Sequence, residues 1–127
     1  MKKILIINGP NLNLLGNRED DIYGKESLDK IKSDCEQKGI EKKLEIIFFQ
    51  SNNEGDIIDK IHEINDKFDG LIINPAAFTH SSIAILDSLR AISKPKIEIH
   101  LSNIYAREEY RKKSITSEGV HGLICGF

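Results

Sequence analysis

Short apolar runs alternate along this chain with amphipathic stretches, and the two periods draw its elements. Ile4-Leu5-Ile6-Ile7 is a continuous, mostly β-branched run, the pattern of a strand covered on both faces, and Asn8-Gly9-Pro10 ends it. A polar loop of irregular composition runs from Asn11 to about Lys25. Leu28, Ile31 and Cys35 then recur at helical spacing, with Ser27 as N-cap and Gly39 as stop. Leu44 to Phe49 reads as a second buried strand. The turn from Gln50 to Gly55 leads into a helix whose Ile57, Ile58, Ile61, Ile64 and Phe68 form one apolar stripe, which leaves His62 on the surface without a role.

Gly70-Leu71-Ile72-Ile73 is a third strand, closed by Asn74-Pro75. A helix from about His80 to Ile92 turns Ile85, Leu86, Leu89 and Ile92 inward until Ser93-Lys94-Pro95 breaks it. A fourth strand follows Pro95, then a short charged helical segment around Ala106 to Lys113 and a last strand from Gly122 to Cys125. Strands separated by helices imply a parallel sheet with right-handed crossovers and helices on both faces. For a chain of 127 residues this predicts one α/β domain over residues 1–127, flavodoxin-like, with five parallel strands in the order 2-1-3-4-5.

Composition narrows the function more than the fold. Hydrophobic residues make up 39% and charged residues 30%, and the net charge is -2, so no basic surplus points to nucleic acid or to an anionic membrane. Cys35 and Cys125 lie far apart without metal-ligand spacing and read as buried reduced thiols. The run after Met1-Lys2-Lys3 is too short for an export signal, and no stretch has membrane-spanning length, so the expected location is the cytoplasm.

Candidate chemistry gathers at the carboxyl ends of the predicted strands, where open α/β sheets bind ligands. In Ile97-Glu98-Ile99-His100 the alternation puts Glu98 and His100 on one strand face, a carboxylate beside an imidazole. Such a pair fixes the histidine tautomer and stabilises its protonated form, as a general acid requires. A half-exposed strand with polar residues facing water has the same pattern. Asn11 after strand 1, Asn74 at the end of strand 3 and His100 at the end of strand 4 become neighbours in the proposed order. His80, Ser102, Arg107 and Arg111 follow closely on the same ends, and Asp87 lies seven residues beyond His80 on roughly the same helical face.

Three blocks of these residues carry a resemblance. Gly9-Pro10-Asn11-Leu12-Asn13-Leu14-Leu15-Gly16, with Arg18 and Tyr23-Gly24 behind it, resembles the N-terminal signature of the type II 3-dehydroquinate dehydratases. Asn74-Pro75-Ala76-Ala77-Phe78-Thr79-His80 and Glu98-Ile99-His100-Leu101-Ser102-Asn103, continued by Arg107 and Arg111, are similar to that family's other two blocks. The resemblance implies the flavodoxin-like fold and conversion of 3-dehydroquinate to 3-dehydroshikimate in the shikimate pathway, with no cofactor, metal or Schiff base.

Loss of water from a β-hydroxy ketone needs a base for the proton next to the carbonyl, a group that stabilises the enolate, and an acid for the leaving hydroxyl. With His100 as the acid, the resemblance implies Tyr23 as the base, Arg18 as the charge that favours its phenolate, Glu98 as partner of His100, and Asn11 as holder of an enolate-stabilising water. It implies that Asn74 and His80 bind substrate oxygens, that Ser102 and the amides of Leu101 and Ser102 take the carboxylate, and that Arg111 binds ring hydroxyls. Arg107 is expected to support Tyr23 electrostatically. Asp87 is expected at a neighbouring subunit's site in trimers that assemble into a dodecamer.

The loop from Gly16 to Gly24 is polar and charged and is expected to be mobile, closing over substrate. Phe78 stands where many relatives have tyrosine. The sequence stops at Phe127 where relatives usually continue into a closing helix, so either a neighbouring subunit covers that flank of strand 5 or the sequence is cut short. Gly119-Val120-His121-Gly122 also departs from the family's usual run, and His121 receives no role. Other classes fit less well. A zinc hydrolase built on His80, His100 and Glu98 lacks a His-x-x-x-His pair, and no serine sits in a Gly-x-Ser-x-Gly turn. A phosphate-binding module on the Gly9–Gly16 loop lacks close glycine spacing and leaves Glu98, His100 and Tyr23 unexplained.

Overall fold

The sheet is all parallel, in the order β2-β1-β3-β4-β5. Its strands are β1 (Lys2–Asn8), β2 (Leu44–Gln50), β3 (Gly70–Asn74), β4 (Lys96–His100) and β5 (Gly122–Cys125). The structure is a computed structural model that describes residues 1–17 and 26–127. The helices are α1 (Leu28–Glu41), α2 (Glu54–His62), the single turn α3 (Ile64–Lys67) and α4 (Ile83–Arg90). Strand order and the predicted strands are as the apolar runs indicate.

Alternation sends the odd-numbered Leu5, Ile7, Leu71 and Ile73 to one face, where they meet Ile57, Ile61, Ile64 and Phe68 from α2, α3 and the residue after them. Ile85 and Leu89 of α4 and Ile92 close this core, all nearly inaccessible to water. The other face carries α1, whose Ile31, Cys35 and Gly39 border an apolar trough of about 650 Å³ with Ile4, Ile6, Ile72 and Ile97. Cys35 and Cys125 are free thiols as expected, but both are only half-buried.

Several boundaries differ from the sequence reading: the helix with the Ile57–Phe68 stripe breaks at Glu63 into α2 and α3, and the next ends at Arg90 and not at Ile92. Gly39 does not stop α1, which continues to Glu41: a Cβ at Gly39 would come within 2.5 Å of Ile46 Cγ1, so this glycine serves packing against β2. α4 begins at Ile83 because Ser82 caps it, accepting from Ile85 N–H at 2.9 Å, while His80 ends a separate 3₁₀ turn, Ala76–His80. The charged segment from 106 to 113 forms no helix; it is drawn into the 3₁₀ turns Ile104–Ala106 and Glu109–Arg111, since it has no apolar stripe to bury.

Candidate active site

At the carboxyl end of the sheet, β1 and β3 approach so closely that only glycine fits between them. Gly9 N–H donates to Asn74 O at 2.7 Å, and a Cβ on Gly9 would lie 2.4 Å from Pro75 O. The chain then turns through Asn11, whose left-handed φ of 69° is held by the bond from its N–H to Asn52 Oδ1 at 2.9 Å. On β3 the buried Asn74 uses its Oδ1 to accept from Ala76 N–H at 3.0 Å, which supports Ala76 at a φ of 53°. That leaves the Asn74 amide as a donor.

These turns wall a recess. Asn11, Asn74, His80, His100, Leu101, Ser102, Arg107 and Arg111 all line it, joined by Leu12, Leu15 and Ile104 as its apolar floor. The sequence reading brought together residues from three strand ends, and the fold does the same. Asp87 does not join them, since it lies exposed on α4 and His80 is not in that helix. Arg18 and Tyr23 fall outside the described residues. The trough on the opposite face is larger than this recess, but it is lined mainly by aliphatic side chains, so the chemistry resides in the smaller opening. Among the described residues no three His, Cys, Asp or Glu side chains converge as metal ligands.

Behind His100 stands Glu98, fully buried and 2.7 Å from the imidazole Nε2 through its Oε2. A carboxylate accepts, so Nε2 carries the proton and Nδ1 is the remaining ring nitrogen. The polar face of β4 is thus the buried one, while Ile97 on the opposite face is 39% exposed. This inverts the picture of polar residues facing water. Burial pushes the Glu98 carboxyl up, but the bonds from His100 and Thr116, the imidazolium charge and the bond from Thr79 outweigh it and hold the group below the usual glutamate range.

His80 is held from the other side of the recess: its Nδ1 donates to Lys113 O at 2.7 Å, leaving Nε2 as an acceptor in the neutral ring. Ile115 N–H donates to Thr79 O at 2.7 Å. Together these bonds fasten the segment after the arginines to the turn that bears His80. Arg107 and Arg111 share Glu108, whose Oε2 is 3.7 Å from Arg107 Nε and 3.1 Å from Arg111 Nε. The Arg111 contact is an ion pair whose angle does not make a hydrogen bond. Its own backbone N–H first, and then the two guanidinium groups, keep Glu108 below the usual range despite some desolvation.

The sequence reading missed the three hydroxyls around Glu98. Thr116 Oγ1 lies 2.5 Å from Oε1, and Thr79 Oγ1 and Ser114 Oγ lie 2.9 and 3.0 Å from Oε2. The available signal was the buried carboxylate itself, which needs donors. Ser114 and Thr116 alternate just after the charged segment, and Thr79 lies inside the block that ends at His80.

Comparison with known proteins agrees with this geometry. The sequence family described as Dehydroquinase class II matches residues 2–127. A 3-dehydroquinate dehydratase of Clostridium botulinum (strain Hall) is 58% identical over 127 residues, covering 100% of this chain and 86% of its own length. One from Caldicellulosiruptor saccharolyticus is 55% identical over 128 residues, covering 100% and 88%. The crystal structure of a type II dehydroquinase from Butyrivibrio crossotus superposes with a TM-score of 0.96 at 47% identity, over 98% of this chain and 88% of that one. Its counterpart from Propionibacterium acnes gives 0.97 at 42%, over 100% and 88%.

Proposed function

This chain belongs to the class II dehydroquinase family and is an enzyme with 3-dehydroquinate dehydratase activity, and from that premise we propose that it eliminates water through an enolate, with Tyr23 as base and His100 as general acid. Tyr23 takes the proton next to the ring carbonyl. The electrons pass to the carbonyl oxygen, and return to form the carbon–carbon double bond as His100 protonates the departing hydroxyl. The products are 3-dehydroshikimate and one water. A tyrosine has an ordinary pKa of about 10, so its use as a base near neutral pH requires the phenolate to be favoured, the role of Arg18 with support from Arg107.

The observation that carries this reading is the hold on His100. Its ring lines the recess and is oriented by a buried carboxylate 2.7 Å from its Nε2, the geometry of a positioned general acid. The other roles follow the lining. Asn11 holds a water on the enolate oxygen, Asn74 and His80 bind substrate oxygens, Leu101 and Ser102 receive the carboxylate, and Arg111 binds ring hydroxyls.

The reading extends to assembly: trimers combine into a dodecamer, and Asp87 reaches a neighbour's recess. In favour of this, Asp87 is exposed on α4 and Ile83, one turn before it, is 62% exposed, an apolar side chain available to a partner. Native mass spectrometry reads the assembly directly. Among the described residues no helix is long and apolar enough to cross a membrane.

The test is the ultraviolet absorbance of the conjugated enone formed from 3-dehydroquinate, followed beside Tyr23→Phe. Absorbance that rises in the presence of chelator and borohydride but is lost in the variant is the expected result. An unchanged rate in Tyr23→Phe removes this tyrosine from the mechanism, and a loss of activity to chelator returns the zinc reading.

A further inference from the structure

We infer that Thr79, Ser114 and Thr116 are positioning residues for the dehydration: their hydroxyls, brought from two separate turns onto one buried carboxylate, orient Glu98 and through it fix which nitrogen of His100 faces the substrate. The inference rests on the proposed role of His100 as acid. None of the three hydroxyls lines the recess, so they act on the reaction only through Glu98.

The proton count shows how the cluster works. Thr79 Oγ1 lies 2.6 Å from Ser114 Oγ and 2.7 Å from Thr116 Oγ1, so the hydroxyls contact one another as well as the carboxylate. Each has one proton to give. Thr116 donates to Oε1, and Thr79 gives its proton either to Oε2, beside the imidazole N–H, or to Thr116. Ser114 donates either to Oε2 or to Thr79 while accepting from Ser117 N–H at 3.1 Å. Each carboxylate oxygen thereby has at least one donor, Thr116 on Oε1 and the imidazole with the other hydroxyls on Oε2. The plane of the carboxylate is fixed, and Oε2 is left in line with His100. Thr79 and Thr116 are fully buried, so water cannot replace a lost hydroxyl at either position.

The pattern also explains why two pieces of chain meet here. Thr79 precedes His80 in the turn that His80 ends, and Ser114 and Thr116 follow the segment that carries Arg107 and Arg111. Joining both on Glu98 ties the acid to the two flanks of the recess. A buried carboxylate without these donors would swing toward another partner or take up a proton, and His100 would lose its fixed ring orientation.

The experiment compares Thr116→Val, which keeps the shape and removes the donor, with Thr116→Ser, which keeps the donor. Turnover of 3-dehydroquinate is measured together with the ¹⁵N spectrum of histidine-labelled protein, which distinguishes the two ring tautomers. Thr116→Val is expected to lower kcat about 10- to 100-fold, the usual loss when an outer hydrogen-bond partner of a site is removed. KM stays within about twofold, since the group acts on the chemical step and not on uniform binding. The His100 resonances shift from the Nε2–H form toward a mixture, and Thr116→Ser restores both readouts.

Ser114→Ala, at a half-buried position that tolerates truncation, gives a second reading if Thr116→Val fails to fold; it is expected to lower kcat by a smaller factor with the same tautomer change. Wild-type kcat and an unchanged tautomer in the valine variant, or in Ser114→Ala where the valine variant fails to fold, would overturn the inference. So would Thr116→Ser as impaired as the valine variant, which would assign the effect to the methyl group. Wild-type protein that turns over no 3-dehydroquinate overturns the dehydratase reading, and the tautomer populations alone then decide the positioning role.

Discussion

Lys96 and Glu98 lie two residues apart on the same face of β4, both buried, and the protein holds them in opposite ways. Lys96 reaches back to the end of α4, where its Nζ donates to Leu89 O at 2.5 Å and Ile92 O at 2.6 Å. Leu89 O, in the last turn of α4, also accepts from Ile92 N–H at 3.3 Å, and Ile92 O lies just past the helix, so the ammonium adds to the cap and favours the local dipole. Its partners are neutral, and desolvation pulls its pKa below the ordinary lysine value. Glu98 points to the other end of the sheet and is held by hydroxyls and an imidazole, and its pKa is lowered as well, toward a persistent charge. A charge that caps a helix serves stability, whereas a charge that saturates its partners and faces a histidine serves a proton transfer. Burial alone does not tell the two apart; the partners do.

Replacement of each residue should therefore move a different quantity. Glu98→Gln is expected to lower kcat about 10²-fold, because the amide does not replace the carboxylate behind the acid, with the fold retained. A large fall in stability with intact turnover would break the contrast. Lys96→Met removes the ammonium donor from both carbonyls and leaves Leu89 O with the backbone bond from Ile92 N–H, at a cost of about 1–3 kcal/mol, a fall in thermal midpoint of roughly 4 °C per kcal/mol, with kcat unaltered. Calorimetry beside the enone assay reads both variants.

Acid sharpens the same comparison by a smaller effect. The folded-state pKa of Glu98 lies below its unfolded value, so its contribution to stability is fully present above the unfolded pKa and is lost as pH falls through the folded one. Urea midpoints measured from pH 6 downward should fall more steeply for the wild type than for Glu98→Gln. Parallel curves would show that the carboxylate is not preferentially charged in the fold. Glu63, Asp69 and Glu108 are lowered too and are common to both proteins, so the difference isolates Glu98.

How much of this could be read in the sequence follows from the range of each signal. Ile4 to Ile7 and Gly70 to Ile73 declare strands because the pattern is local, and parallel pairing with the 2-1-3-4-5 order follows from helices between strands. Asn11, Asn74 and His100 were placed together by topology alone, and the recess contains all three. Lys96 was not legible, because its partners are backbone carbonyls whose positions depend on where α4 ends. The hydroxyls were not legible because Thr79 and Thr116 are 37 residues apart and meet only in the fold. The part His121 plays is illegible for a similar reason: its Nδ1 accepts from Lys96 N–H at 3.2 Å and its own N–H donates to Lys96 O at 2.9 Å, tying the starts of β4 and β5.

The most direct test of the account is the enone absorbance of His100→Ala, measured on protein whose circular dichroism and thermal midpoint match those of the wild type. Loss of the general acid is predicted to lower kcat by about 10²- to 10⁴-fold with the fold intact. Turnover within a few-fold of the wild type would show that the leaving hydroxyl takes its proton from elsewhere and that the buried carboxylate behind His100 has another purpose.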